Sequence, residues 1–496
     1  MPQAVTETDD IQALVGSGLA TLTEAEFWLC RIKSAAAARA FLRAARVTTV
    51  ADLASHQATA LQIAISADGM RILGVSSDVV GAFSAEFAEG MAGDPSRSRR
   101  LGDVGANAPE TWAWGYPRAP DVLVMLYAEP GRLDALRQQV TALAGEAAFD
   151  VTVLPTSDMG GHEPFGFVDG VSQPTIDWKG RRSPGSSDDL DYGNLVTAGE
   201  FLLGYENEYG RFTERPTVAA GAGADDLPQA ADDTTRRDVG RNGTYLVLRQ
   251  LRQDVGPFWR FARDQAGRAG AQEFAETMVG RKLSGDPLEP VATTPLRGVG
   301  PTAIAQNNFT YAADPEGQVC PLGAHIRRAN PRTADMPGGK GDLLSRVIRM
   351  LGWTKESPRA DVVASSRFHR ILRRGREYGA RADPSSLMDG TVPDPVCGLN
   401  FLCLNANVAR QFEFVQGAWL LSAKFDGLTG EQDPLLGNRQ PLPPTEATSG
   451  FSMPNATGPA RRVGAVPQFV NMLGGAYFFL PGVRALRYMT REAHTS

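Results

Sequence analysis

Three short stretches hold residue types that could do chemistry together. In Cys320–Arg332, CPLGAHIRRANPR, a proline and a glycine precede His325, one of five histidines in the chain (His56, His162, His325, His369, His494). Imidazole is a common ligand for metals and for haem iron, and arginines beside it can pair with carboxylates; the same arrangement also suits a purely structural histidine. In Gly166–Pro174, GFVDGVSQP, Asp169 sits among apolar residues with no cation nearby in sequence. Asp before Gly marks a turn, and a carboxylate in apolar surroundings can also be a tuned proton acceptor. In Arg370–Gly379, RILRRGREYG, Arg373 follows the apolar pair Ile371–Leu372, so it can point inward or lie on a solvated strand end. An arginine cannot serve as a general base, but it can stabilise negative charge as a bond breaks.

The whole chain limits what such a site could belong to. Its 496 residues allow two to four domains at about 100–200 residues each. Hydrophobic residues make up 42% and charged residues 21%, as in a globular protein, and the net charge of -6 gives no general attraction to nucleic acid. The four cysteines (Cys30, Cys320, Cys397, Cys403) form no CxxC pair and read as buried thiols in a reducing compartment. The first residues, MPQAVTETDDIQ, lack the basic and apolar regions of an export signal, and no run reaches the roughly 18–20 apolar residues of a membrane helix. The expectation is a cytoplasmic protein with neither a membrane nor a nucleic-acid partner.

The order of elements sets the expected fold. Strands are expected at 25–32, 60–66 (half-buried), 121–128 and 149–154. Helices are expected at 34–45, with Ser34 as cap, at 79–91, and from Pro130–Gly131 to about 144. That is the split βαβ, ferredoxin-like order with one extra helix, and it predicts an antiparallel sheet with helices on one face. Glycine-rich and acidic stretches between 157 and 240 break the rhythm, and the order resumes at Gly243. Strands follow at 244–250, 368–374, 399–405 and 475–480, with helices at 255–269, 271–279, 408–420 and after Pro481, and a short one near 342–351. The reading is an α+β protein of two tandem ferredoxin-like units, residues 1–240 and 241–496.

At these residues the chain resembles the dye-decolorising peroxidase family of haem enzymes. GFVDG at 166–170 resembles the family's GxxDG motif, CPLGAHIRRANPR its axial-histidine segment, and RILRRG at 370–375 the segment of its distal arginine. GEFLLGYENEYG at 199–210, GLNFLCLNANVARQFEFVQ at 398–416 and GGAYFFLP at 474–481 add to an ordered set running from about 160 to 480, and the long loops at 217–240 and 333–367 look like the larger bacterial subgroup. The resemblance implies haem b in the C-terminal unit, with His325 as proximal iron ligand and Arg327, Arg373, Leu399 and Phe401 among the residues around the cofactor. It implies hydrogen peroxide as oxidant, with Asp169 as acid/base and Arg373 as charge stabiliser, Arg374 and His162 being the alternatives. Dyes, phenols and other aromatic reductants would be the reducing substrates. Manganese(II) is a further candidate, with Asp225, Asp226, Asp232 and Asp233 as loop acids, and a homodimer is compatible. Asp433 is the favoured carboxylate for orienting His325, with Glu413 as alternative. Trp259, Trp353, Trp419, Tyr311 and Tyr378 are the aromatics available to relay electrons from the surface. The competing readings are a haem-binding or iron-handling protein of the same fold without efficient turnover, and a structural α+β pair with no cofactor.

Overall fold

A computed structural model of the chain describes residues 4–182, 184, 192–221, 223–292, 296, 305–333, 365–441, 447–455 and 458–491. Its centre is one antiparallel sheet. Four strands come from the first part of the chain: β1 (Glu24–Ile32), β2 (Thr59–Ile65), β3 (Val122–Ala128) and β4 (Phe149–Pro155). The others are β5 (Thr244–Gln253), β6 (Leu372–Arg373), β7 (Arg376–Gly379), β8 (Cys397–Asn405) and β9 (Val470–Leu480). The spatial order is β6-β8-β5-β9-β2-β3-β1-β4, with β7 also paired to β8.

The first half therefore runs second-third-first-fourth across the sheet, and so does the second half if β6 and β7 count as one interrupted strand. That is the ferredoxin-like order, made twice. The halves meet edge to edge at one backbone pairing, Phe479 opposite Ile65.

Alternate residues of each strand enter different cores because side chains point to opposite faces with period two. Val122, Val124, Tyr477 and Phe479 join the core that holds the helix residues Phe41, Leu42, Leu136 and Val140. Leu123, Met125, Phe478 and Leu480 face a second core closed by the N-terminal segment and by Phe201, Leu202 and Tyr205. Helices thus cover one face, as the order of elements predicts, and irregular chain covers the other. That second cover buries Ala60–Ile65 on both faces, so β2 is not the half-buried strand expected.

Local chemistry explains the helix boundaries. In α1 (Ala35–Ala44) the Ser34 hydroxyl accepts from Ala37 N. The helix α2 (Leu133–Ala144) starts after, not at, Gly131, whose φ of 80° is not helical. The expected helix 79–91 is two short ones, Ser77–Gly81 and Ala85–Glu89, because Ser84 caps the second from within the run. α3 (Val255–Val279) is broken at Gly267 (φ 71°), where two helices are expected. Residues 409–420 wind with i→i+5 bonds, such as Glu413 N to Val408 O at 2.9 Å. The strand expected at 368–374 shrinks to β6, preceded by a tight helical turn at Ser365–His369. The helix expected near 342–351 lies outside the described residues. Among the described residues no helix is long and apolar enough to cross a membrane.

Candidate active site

His325 is the first residue of a short helix, α4 (His325–Ala329), laid across the end of α3. The approach is close: a Cβ on Gly280, which ends α3 with φ 91°, would come within 2.6 Å of Ile326 Cγ1, so only glycine allows α4 to sit there. The imidazole Nδ1 faces Asp433 Oδ2 at 3.0 Å. The other oxygen of Asp433 accepts from the Leu435 and Leu436 amides at 2.9 and 2.8 Å, which fixes the carboxylate. Burial opposes charge on both groups, but their mutual attraction outweighs it, holding Asp433 below and His325 above the ordinary range. Nε2 has no partner among the described residues, and His325 lines a cavity of about 300 Å³.

Asp169 and Arg373 line the same cavity. Arg373 Nη1 donates to Asp169 Oδ1 at 3.0 Å, and the Gly170 amide donates to the same oxygen at 2.6 Å. Both protein donors thus use Oδ1, leaving Oδ2 without a hydrogen bond among the described residues. Burial would raise the Asp169 pKa, but Arg373 and the Gly170 amide more than offset it and hold it below the usual carboxylate value. The loop carrying Asp169 is pinned by a bridge between His162 and Val168 and by Asp169 N donating to Gly161 O at 3.0 Å.

Gln173 is a positioning group that sequence reasoning missed. Its amide oxygen accepts from Arg373 N and its amide nitrogen donates to Arg373 O, both at 3.1 Å, tying the Asp169 loop to β6. The signal was present in GFVDGVSQP, four residues after Asp169. Glu163 also lines the cavity and accepts from Phe165 N, Phe167 N and Gln253 Nε2; burial and the Asp169 charge push it up to about 7.

Leu399 and Phe401 contribute the expected apolar wall, alternating along β8 with the buried Asn400 and Leu402. Arg327 does not reach the cavity. Two residues along α4 from His325 is roughly 200° around the helix, and its guanidinium turns to Asp314 Oδ2 (3.2 Å) and the Cys320 carbonyl (2.8 Å), over the Tyr311 ring. The arginines that do line the cavity, besides Arg373, are Arg249, Arg281, Arg332 and Arg370. Arg249 pairs with Asp103, whereas the other three meet no carboxylate among the described residues. Burial, then the nearby Arg332, brings Arg281 down to about 10, so this end of the cavity favours an anion.

The remaining candidates named from the sequence have the following partners and positions. Arg374 donates to the Leu14 and Val15 carbonyls, away from the cavity. His162 Nδ1 lies 3.0 Å from Gly160 O and the residue does not line the cavity. Glu413 holds Arg97 and the Tyr477 hydroxyl, not His325. Of the relay aromatics, Trp259, Trp419, Tyr311 and Tyr378 are buried, and Trp353 lies outside the described residues. The loop acids are engaged too: Asp226 with Arg491, Asp232 with Arg215, Asp233 with Thr235, and Asp225 with Gly221 N. Among the described residues no group of three or more His, Cys, Asp or Glu could hold a metal ion.

At the level of class, the chain is similar in fold and in sequence to DyP-type peroxidases, oxidoreductases that act on peroxide. A crystal structure of a decolorizing peroxidase from Auricularia auricula-judae superposes with a TM-score of 0.71 at 25% identity, covering 98% of this chain and all of that one. In sequence, the multifunctional dye peroxidase DyP2 of an Amycolatopsis species is 29% identical over 86% of this chain and 81% of the relative. A dye-decolorizing peroxidase of Auricularia auricula-judae is 27% identical over 89% and 78%. No protein-family profile matches the chain. Fungal and bacterial proteins stand together among these relatives, so the bacterial subgroup expected from the loops is not singled out.

Proposed function

We propose that this chain is a haem b peroxidase that reduces hydrogen peroxide and oxidises aromatic donors such as dyes and phenols. The observation that carries the reading is one cavity lined both by a carboxylate-oriented histidine and by a carboxylate–arginine pair, each with one ring nitrogen or carboxylate oxygen that has no hydrogen bond among the described residues. The residues present suit the cofactor. Leu399, Phe401, Leu435, Leu436 and Ile326 offer an apolar surround for a macrocycle, while Arg281, Arg332 and Arg370 offer cations for its two carboxylates. His325 Nε2 would ligate the iron, with Asp433 keeping the imidazole proton on Nδ1 and so raising donor strength. When bound, the haem supplies the redox centre that cleaves the peroxide O–O bond and stores the oxidising equivalents.

The chain's own residues then handle protons and charge. Asp169, ionised at neutral pH, takes a proton from one peroxide oxygen on Oδ2 and returns it to the other, so that water can leave. Arg373 keeps Oδ1 engaged and places a permanent positive charge where negative charge develops. Gln173 keeps Arg373 in register with the Asp169 loop. The placement with the larger bacterial members rests on the length of the stretches at 217–240 and 333–367 and is part of the same proposal. The test is spectroscopic and kinetic. Haem-loaded protein should show a Soret band that changes on one equivalent of peroxide and returns as dye is bleached. A haem spectrum inert to peroxide would leave only the haem-binding reading, and no haem uptake would remove both.

A further inference from the structure

A second histidine lines the cavity and takes no part in the chemistry above. His369 lies in the turn before β6, and its Nδ1 is in hydrogen-bond contact with the Arg410 carbonyl. A carbonyl only accepts, so Nδ1 carries the ring proton and Nε2 carries a lone pair. Nε2 has no hydrogen bond to any described residue. The ring is held rigidly: Phe414 stacks on it at 3.7 Å and 6°, and Trp419 stands edge-on at 5.1 Å and 83°. Val415, Trp419 and Leu420 continue this apolar wall along the cavity. The neighbouring charges are cationic and otherwise committed: Arg410 is paired with Glu200, and Arg370 with Tyr192, Gly193 and Asn194. The surface is close by, because Tyr209, 54% exposed, stacks on the adjacent Phe368 at 3.8 Å.

We propose that His369 and its aromatic wall form a donor subsite that binds phenolic reductants and takes their proton on Nε2 as they are oxidised. The inference rests on the peroxidase reading and deepens it by naming which reductants the cavity selects. A neutral, rigid acceptor among aromatic rings suits a flat ring bearing an O–H. Such a donor cannot lose an electron easily while keeping its proton, since the radical cation of a phenol is strongly acidic. In the step, the phenol O–H bond breaks, its proton goes to His369 Nε2, and one electron goes to the oxidising equivalent that peroxide has delivered to the cofactor. The product is a neutral phenoxyl radical, and two phenols are consumed per peroxide. Burial, with the Arg410 charge adding to it, brings His369 down to about 4, so the imidazolium formed passes its proton on at neutral pH and the subsite resets.

The experiment compares two donors on the haem-loaded enzyme: 2,6-dimethoxyphenol, which loses an electron and a proton, and ABTS, which loses only an electron. In His369→Phe the ring and its stacking survive but the acceptor is gone. The ratio of kcat/KM for the phenol to that for ABTS should fall about a hundredfold or more, the lower reach of a lost general base. The solvent isotope effect on phenol oxidation should change with it. Binding of the phenol to the resting enzyme, read by calorimetry, should weaken by roughly threefold to tenfold, as for one lost neutral hydrogen bond. His369→Gln, which restores an acceptor oxygen, should recover part of the ratio. An unchanged ratio, or an equal fall for both donors with lost haem, would overturn the subsite. A wild-type enzyme that oxidises neither donor would instead overturn the peroxidase reading itself.

Discussion

Replacing Asp433 with Asn probes the axial side without changing its shape. The side chain is fully buried, and Oδ1 accepts two backbone amides, from Leu435 and Leu436. In the variant the carboxamide oxygen must stay with those amides, because its NH₂ would set donor against donor there. The NH₂ then faces His325 Nδ1, which must accept. The imidazole proton moves to Nε2, the nitrogen needed for the metal. A hydrogen bond to a charged group contributes about 1.5–3 kcal/mol, and about 1.4 kcal/mol is tenfold in affinity. Haem binding should therefore weaken by roughly 10- to 100-fold, the range seen when the partner of a metal-ligating histidine is removed. Titrating apoprotein with haem and following the Soret band measures this directly. Affinity within twofold of wild type, with an unaltered iron spectrum, would refute both the tautomer reasoning and the axial assignment.

Other substitutions separate the remaining roles. His325→Ala should fail to hold haem under conditions that load the wild type, by the same titration. Asp169→Asn should slow peroxide activation by about 10²–10⁴-fold in stopped-flow measurements while leaving haem content intact, as loss of a positioned acid/base does. Arg373→Leu should slow it by about 10²–10³-fold and also change its pH dependence. Asp169 works as the carboxylate, so activity is lost as pH falls through its pKa. Arg373 helps hold that pKa below the usual 3.8, and without it burial prevails, so the acid limb should move to higher pH. Glu413→Ala should leave haem affinity alone but cost about 1–3 kcal/mol in urea unfolding, because Arg97 would keep Glu89 yet lose this second carboxylate and the Tyr477 hydroxyl would lose its acceptor.

Much of this was legible in the residues, for reasons that differ from part to part. The strand β3 announces itself as an unbroken apolar run, β1 and β8 as runs rich in bulky apolar residues, and Ser34 marks its helix by capping chemistry. The order of elements carries the duplicated topology even though the halves share little sequence. What failed was local competition. Ser84 restarts a helix inside an apolar run, and Gly131 delays one. Within the site, Asp169, His325, Arg373, Leu399 and Phe401 come together as expected, and Asp433 rather than Glu413 meets His325. Arg327 was misplaced because proximity in sequence says nothing about the side of a helix, and the cavity receives Arg332 from further along the same segment. Gln173 and His369 escaped notice because their importance lies in contacts about 200 and 40 residues away in sequence.

The Asp169–Arg373 contact links residues 204 positions apart, one before β5 and one after it. The pair is thus a joint as well as a tool. On the proposed reading, the chain from β5 onward carries the imidazole meant for iron but not Asp169, the proposed proton carrier. On that reading, peroxide reactivity, as distinct from colour, reports whether the segments on either side of β5 have come together.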